Sequence, residues 1–390
     1  MRLIYIFNGR LPTEKAHGLQ IAKTCEAFSS LGADVELVFP FRANPIKETL
    51  FSYYGLKKTF AVKKLWSLDP MSVKGFPGRL AFFIQSATSG MSILFYLLLR
   101  RRRRNSIFYS RDYVSLFLLA LLGFKPVAEL HDYRAIRPRN FIRFIIGESR
   151  KIIVNSEGTL NLLKAHYGAT VEKKFLVAAN GVDLEFFNVK KTSEEARKLL
   201  NMPANKIIIG YVGRLEVAGE EKGVRLLLEA FKKVREDGKE FCLYVVGGPE
   251  NLVEIYKNKY ADGKNGNELV FTGHVFYGEI PLYLRSMDIV VIPLSAGNRH
   301  SMTTSPIKLF EFFGAGKAII ASDLPSIRNY CGPETIMFFR AGDVRDLSAK
   351  IKELAADSGR RLALEYNARR TASRYSWEAR ARNITLFIKN

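Results

Sequence analysis

The sequence predicts an α/β fold built from two doubly wound, parallel-sheet domains. Three observations carry that expectation. With 390 residues the chain is long enough for two to three domains with sizeable cores. Short apolar runs alternate with stretches of helical periodicity along its length, the pattern of strand–helix–strand crossovers. The pattern then restarts at K-I-I-I-G-Y-V-G-R, residues 206–214. Hydrophobic residues make up 47% of the chain and aromatic residues 12%, which excludes a disordered chain.

The first domain opens with a strand at 3–7, a loop from Asn8 to Gly18, a helix over about 19–31 and a strand at 34–39. Leu19, Ala22, Ala27, Phe28 and Leu31 follow helical spacing, and D-V-E-L-V-F alternates before running apolar. The loop lacks G-x-G-x-x-G, so no dinucleotide fingerprint is present. It does place Gly18 at the expected helix N-terminus, where a backbone amide can meet a phosphate or simply make a tight turn. Residues 80–99 carry no charge and run into Arg100, Arg101, Arg102, Arg103 and Arg104. Their length suits a membrane span, but Gln85, Ser86, Thr88, Ser89, Gly90 and Ser92 crowd the middle. We therefore expect a helix whose stripe of Phe83, Ala87, Met91, Leu94, Phe95 and Leu98 packs on the sheet. V-A-E-L-H-D then reads as a strand that delivers His131 to the crevice end of a parallel sheet, either as a ligand contact or as a structural histidine. K-I-I-V-N-S and F-L-V-A-A-N-G-V-D follow as further strand ends.

The second domain begins with strand 206–212 and continues through strands at 241–246, 269–271 and 288–292. Arg214 and Lys222 flank a glutamate-rich loop after its first strand. That pairing suits a diphosphate, one cation acting as a fork and the other as a point charge. The competing reading pairs them with Glu216, Glu220 or Glu221 on the surface. The stretch from Thr303 to Asp323 organises the rest. Ser305 followed by Pro306 reads as an N-cap with proline at the first helical position, and Gly314 and Gly316 end the helix. Its N-terminus, Ser305, Pro306, Ile307 and Lys308, offers a phosphate site. Glu311 sits among Leu309, Phe310, Phe312 and Phe313, so it either faces solvent or a local lysine, or needs hydrogen-bond donors such as ligand hydroxyls. A-I-I-A is a short buried strand, and residues 343–390 are helical.

The net charge of +22 is unevenly spread: residues 44–111 hold thirteen Lys/Arg against Glu48 and Asp69, a local excess of +11. Lys57, Lys58, Lys63 and Lys64 interleave with aromatic residues there. An anionic membrane surface is the partner this favours, against a merely solvated face. No RNA-binding signature, zinc finger or helix-turn-helix accompanies the charge, so nucleic acid is not expected. The three cysteines, Cys25, Cys242 and Cys331, are scattered, which fits a reducing compartment and no structural zinc. The opening L-I-Y-I-F is too short for a signal-peptide core and reads as a first strand, so the expected location is cytoplasmic, peripheral to the inner face of the membrane.

Taken together, A-H-G-L-Q-I-A-K-T-C-E-A-F, A-E-L-H-D, N-G-V-D, Y-V-G-R-L…E-K-G-V-R-L-L-L-E-A-F, F-T-G-H-V, S-P-I-K-L-F-E-F-F-G-A-G-K-A-I-I-A-S-D-L-P and Y-S-W-E resemble a family 4 glycosyltransferase. Their order covers nearly the full chain. The resemblance implies the GT-B fold: two Rossmann-like domains, 1–185 for the acceptor and 186–373 for the donor, facing across a cleft, with a closing helix 374–390 crossing back to the first. It implies that Arg214 and Lys222 hold the donor diphosphate and that Glu311 takes the ribose hydroxyls. It places the backbone of His274 and Val275 at the base, Gly18 beside the donor phosphates and His131 near the donor sugar. The family commonly carries Glu-x7-Glu ending at the position of Glu311. Here Thr303 stands eight residues before it, so Thr303, Thr304 or His300 are the candidates for contact with the sugar.

The resemblance further implies transfer of a hexose from a nucleotide-diphosphate sugar to a glycan or lipid-linked acceptor with retention, in surface polysaccharide or glycolipid synthesis. No D-x-D occurs in the sequence, so no metal or other cofactor is expected; Arg214, Lys222 and the helix N-terminus would offset the departing charge. Two alternatives stand beside it: a GT-B-like nucleotide-sugar epimerase or hydrolase, and a non-catalytic relative that binds polyanions or lipid.

Overall fold

In a computed structural model the chain divides into two compact units, Met1–Ala179 with Trp377–Asn390, and Asn180–Ser376. The structure describes all residues except 58, 71–72, 74, 101–105, 132–138, 169–173, 218, 237–240, 261–267 and 298–299, and it does not describe the side chains of residues 100, 217, 300 and 301. Lys58 and Arg101, Arg102, Arg103 and Arg104 thus lie outside the described residues.

The first unit holds a seven-stranded parallel sheet of β1 (Arg2–Ile6), β2 (Asp34–Pro40), β3 (Ala61–Leu65), β4 (Ser106–Ser110), β5 (Val127–Leu130), β6 (Lys151–Val154) and β7 (Phe175–Val177). Its order is β3-β2-β1-β4-β5-β6-β7. The central strands are buried on both faces, which is why they read as apolar runs. β3 is different. Among the described residues it pairs only with β2, and its A-V-K-K-L carries Lys63 and Lys64 on an exposed edge, a common guard against unwanted strand addition. The aromatic–lysine region therefore contains a strand that its mixed composition concealed.

The Gly78–Arg100 helix forms as expected but with its faces reversed. Ala81, Gln85, Ser89, Ile93, Tyr96 and Leu97 are buried, and the last three pack with Ile4, Ile6, Val38 and Leu119. The stripe expected to face the sheet points outward instead: Phe83 is 69%, Met91 69% and Phe95 66% exposed. The inner face tolerates polar residues because they are bonded. Gln85 Nε2 donates to Asp69 Oδ1 at 2.5 Å, and the Tyr96 hydroxyl donates to Glu36 Oε2 at 3.1 Å.

The second unit holds a six-stranded parallel sheet and a small antiparallel hairpin. The strands are β8 (Ile207–Val212), β9 (Glu216–Val217), β10 (Glu220–Glu221), β11 (Phe241–Val246), β12 (Leu269–Gly273), β13 (Ile289–Ile292), β14 (Ala318–Ser322) and β15 (Met337–Phe339). The main sheet runs β12-β11-β8-β13-β14-β15, and β9 pairs with β10. Its core joins Tyr211, Phe231, Phe241, Ile289 and Phe339, each removed from water to the extent of about 1.5–3 kcal/mol of transfer free energy.

The closing helix, Trp377–Lys389, belongs to the first unit and packs on the Ala16–Ser30 helix. Its anchor is ionic: buried Arg380 donates through Nη2 to Glu129 on β5 at 2.6 Å and through Nε to the Ala179 carbonyl at 2.9 Å.

Candidate active site

In the first unit a polar cluster gathers at the end of β5. Strand period two places Glu129 and His131 on one face, and the His131 Nε2 lies 2.5 Å from Glu129 Oε1. Gln20 Nε2 at 2.8 Å, the Tyr109 hydroxyl at 2.5 Å and Arg380 also donate to this carboxylate. Burial pushes the Glu129 pKa up, but Arg380 and then His131 outweigh it and hold the group well below the usual carboxylate range. Burial, then Arg111, depress His131 to about 4, with Glu129 acting in the opposite sense. His131 is therefore a neutral imidazole at pH 7 whose Nε2 proton goes to Glu129, leaving Nδ1 as the acceptor. His17, similarly depressed to about 4 by burial and then by Arg111, lies close enough to His131 for their charges to interact. Sequence reasoning passed over Glu129, His17, Gln20 and Arg380. The E-x-H spacing inside a strand was the available signal for the first.

Of the two readings of Gly18, the tight turn describes its amide. It is the third residue of the Ala16–Ser30 helix, and its amide donates to the Lys15 carbonyl at 2.9 Å instead of facing a ligand. A β-carbon there would overlap the Tyr54 hydroxyl, which donates to the Thr13 carbonyl at 2.7 Å and accepts from the Thr13 amide at 2.8 Å. Gly18→Ala is expected to cost about 1–3 kcal/mol through this overlap. In a Tyr54→Phe background the added cost should shrink, because the clashing oxygen is gone. A urea-unfolding double-mutant cycle measures the difference, and strict additivity would rule the account out.

In the second unit the cations converge at the end of β8. Lys308 Nζ lies 4.2 Å from the centre of the Tyr211 ring and donates to its hydroxyl at 3.1 Å. It also sits 3.0 Å from where a β-carbon on Gly213 would be. The Tyr211 hydroxyl in turn donates to the Arg214 carbonyl at 2.7 Å. Burial, then the nearby Lys222 charge, lower Lys308 to about 7. Burial also lowers Lys222, with Glu220 and Glu221 opposing. Arg214 is exposed, and its Nε donates to the Glu216 carbonyl at 3.4 Å, not to that residue's carboxylate. Glu221 accepts from the amides of Gly223 at 2.9 Å and Arg225 at 3.1 Å, so it caps the Val224–Arg235 helix. Gly223 is obligatory, with φ of 83° and a β-carbon that would run into the Pro293 carbonyl.

The helix that carries Glu311 spans Ile307–Gly314, and its N-cap is Pro306. Ser305 is not the cap: its Oγ accepts from the Asn180 amide at 2.9 Å, and its carbonyl accepts from Asn180 Nδ2 at 2.7 Å. With the serine engaged by Asn180, the amides of Ile307 and Lys308 begin the helix without a side-chain cap. Lys308 and Glu311, three residues apart, share one face. Glu311 is buried and accepts from the Tyr277 hydroxyl at 3.1 Å, and Tyr277 stacks on Phe186 with ring centres 5.1 Å apart. Burial raises Glu311 to about 7, against the Tyr277 hydrogen bond and the Lys308 charge. The solvent-facing reading of this carboxylate is thereby corrected. The His274 amide donates to Glu250 Oε1 at 2.9 Å, so of this backbone segment the carbonyl and Val275 are what remain for a base. His300 and Thr303 delimit a one-turn helix, with Thr303 and Thr304 half-buried.

This arrangement of two parallel sheets, with cations and a buried carboxylate at strand ends of the second, has counterparts. Residues 206–357 match the glycosyl transferases group 1 family. The match lies wholly within the second unit. The chain is 27% identical over 224 residues to the sulfoquinovosyl transferase SQD2 of Arabidopsis thaliana, covering 56% of this chain and 40% of the plant protein. It is 25% identical over 270 residues to a lipopolysaccharide 1,2-N-acetylglucosaminetransferase of Salmonella typhimurium, covering 67% of this chain and 66% of that protein. The matches thus span two fifths of the plant protein and just under two thirds of the Salmonella protein. Among solved structures, a glycosyltransferase from Rickettsia africae superposes with a TM-score of 0.75 at 16% identity, covering 100% of this chain and 98% of the other. Anabaena Alr3699/HepE, crystallised with UDP, superposes with a TM-score of 0.73 at 16% identity, covering 100% of both chains. Likeness at this identity is likeness of fold, and the fold is GT-B. Within the matched segment lie Arg214, Lys222, His274, Val275, Lys308 and Glu311; Gly18 and His131 belong to the other unit.

Proposed function

We propose that the protein transfers a hexose from a nucleotide-diphosphate sugar to a glycan or lipid-linked acceptor, with retention and without a metal, in surface polysaccharide or glycolipid synthesis. One observation carries the reading: Lys222 and Lys308, two cations that burial keeps at lowered pKa, stand at the end of β8 beside a buried carboxylate, Glu311. Partly desolvated lysines are held at a cost that a dianionic ligand recovers. In this reading Lys222, Lys308 and Arg214 offset the charge of the departing nucleotide diphosphate, and Glu311 accepts from the ribose hydroxyls. The segment of His274 and Val275 receives the base. His131, held neutral with its Nδ1 as acceptor, binds a sugar hydroxyl. Thr303, Thr304 and His300 supply the remaining sugar contacts. The leaving phosphate itself takes the acceptor's proton on the same face, which makes the reaction retaining.

A panel of nucleotide sugars tests this: slow donor hydrolysis should be lost in Glu311→Ala, survive excess chelator and release the sugar with its anomeric configuration kept. Donor binding unchanged in Glu311→Ala, measured by calorimetry, would remove the site assignment.

The lowered and raised pKa values also set a pH dependence for nucleotide-diphosphate binding. Lys308 is a cation below pH 7 and loses its charge above it, so affinity falls on the alkaline side. Glu311 is a carboxylate above pH 7 and is protonated below it, so affinity falls on the acid side too. Binding should peak near pH 7. Lys308→Met flattens the alkaline limb and Glu311→Gln the acid limb. The ligand's own phosphate titration near 6 persists in both variants. A profile measured by titration calorimetry that keeps both limbs in both variants would contradict the assignment.

A further inference from the structure

The Gly78–Arg100 helix exposes a continuous apolar stripe of Leu80, Phe83, Ala87, Met91, Phe95 and Leu98, each three or four residues from the last. Its first 22 residues are long and apolar enough to cross a membrane by length and composition alone. Crossing would pull Ile93, Tyr96 and Leu97 out of the core of the first unit and leave Gln85 and Ser89 facing lipid. The outward half alone is available. Alongside it runs the segment after β3: the Trp66 carbonyl accepts from the Ser92 hydroxyl at 2.5 Å, and the Leu68 amide donates to the Thr88 hydroxyl at 3.2 Å. Trp66 is thereby held beside the stripe with 66% of its surface exposed. A contiguous apolar face of this kind is rare on a soluble surface without a partner.

Charge decides the partner. No Asp or Glu occurs from residue 70 to residue 111, and the sequence continues from the helix into five arginines. Exposed Lys63 and Lys64 lie on the neighbouring edge strand, and Arg79 is exposed in the first turn of the helix. A second copy related by a two-fold axis would set these cations against their own kind. An anionic surface is attracted by all of them. We propose that this face seats on an anionic phospholipid bilayer, the helix lying in the plane of the interface with Phe83, Met91, Phe95 and Trp66 among the headgroups. The seat stands apart from the glycosyl-transfer reading. That the same surface presents a lipid-linked acceptor rests on it.

The chain contains its own probe, since of its two tryptophans Trp377 is only 3% exposed. Vesicles of phosphatidylcholine with a quarter phosphatidylglycerol should carry the full-length protein in flotation and shift Trp66 emission to the blue, while pure phosphatidylcholine vesicles do so at least about tenfold less. Phe83→Ser with Phe95→Ser, and separately Lys63→Glu with Lys64→Glu, should each weaken binding by about tenfold or more, with melting and UDP binding unchanged. Salt should weaken it further. No flotation with the anionic vesicles would overturn the proposal. So would a concentration-dependent dimer, seen by light scattering, that the Phe83/Phe95 variant abolishes. UDP binding retained while vesicle binding fails leaves the transferase reading intact, and the converse result leaves the membrane seat intact.

Discussion

Lys222→Ala should weaken binding of UDP or GDP, whichever the protein takes, by about 30- to 1,000-fold at pH 7. The estimate is the loss of one charge-assisted contact to a partly desolvated phosphate, about 2–4 kcal/mol. The folded protein should not suffer. Lys222 and Lys308 repel one another, so removing the first relieves the second and lets its pKa rise toward that of an ordinary lysine. The expected combination is a large loss of affinity with an equal or slightly higher melting temperature, read by calorimetry and thermal unfolding on the same preparation. Lys222→Arg should recover only part of the affinity, because a planar fork does not place its charge where the ammonium stood. A dissociation constant unchanged in Lys222→Ala would take the diphosphate away from this end of β8.

Arg380→Ala should be the most damaging substitution outside the second unit. It leaves the fully buried Glu129 carboxylate without its main counter-charge, and breaking such a pair costs about 3–5 kcal/mol. For a unit of this size that corresponds to a fall of roughly 6–20 °C in its melting temperature. The loss should be partly repaired by Glu129→Gln in the same chain, since a neutral amide no longer needs the cation and still accepts from Gln20 or Tyr109. His131 gives a second readout. With Arg380 gone, one of the positive charges that disfavour its protonation disappears, and its pKa should rise, as followed by the ring-proton shift in NMR. Arg380→Ala with unchanged melting and an unmoved His131 titration would show that the closing helix does not depend on this contact.

Much of the fold was readable without coordinates because parallel strands buried on both faces must be apolar throughout, and I-I-I-G-Y-V or F-C-L-Y-V-V admits few other readings. β3 escaped for the converse reason: an edge strand open to water keeps lysines, and A-V-K-K-L has no period of its own. In the site, Arg214, Lys222 and Glu311 were legible from residue type and position after a strand or within a helix. Lys308 was named only as part of a helix N-terminus, whereas its contact with Tyr211 needs segments 97 positions apart in the sequence to meet.

The sequence by itself determined which residues carry charge, where strands and helices alternate, and that a stripe of apolar side chains runs along residues 80–98. Periodicity records that a helix has two faces, but both the sheet and a lipid surface accept phenylalanine and leucine, so the direction of the stripe is not written in it. Tertiary structure decided that direction by giving Gln85 its Asp69 and Tyr96 its Glu36, which made the more polar face the inner one. It decided likewise that Glu129, unremarkable in A-E-L-H-D, meets an arginine 251 residues further along the chain. Hydrophobic pattern is a local property, whereas the pairing of buried polar groups is settled only when distant segments meet.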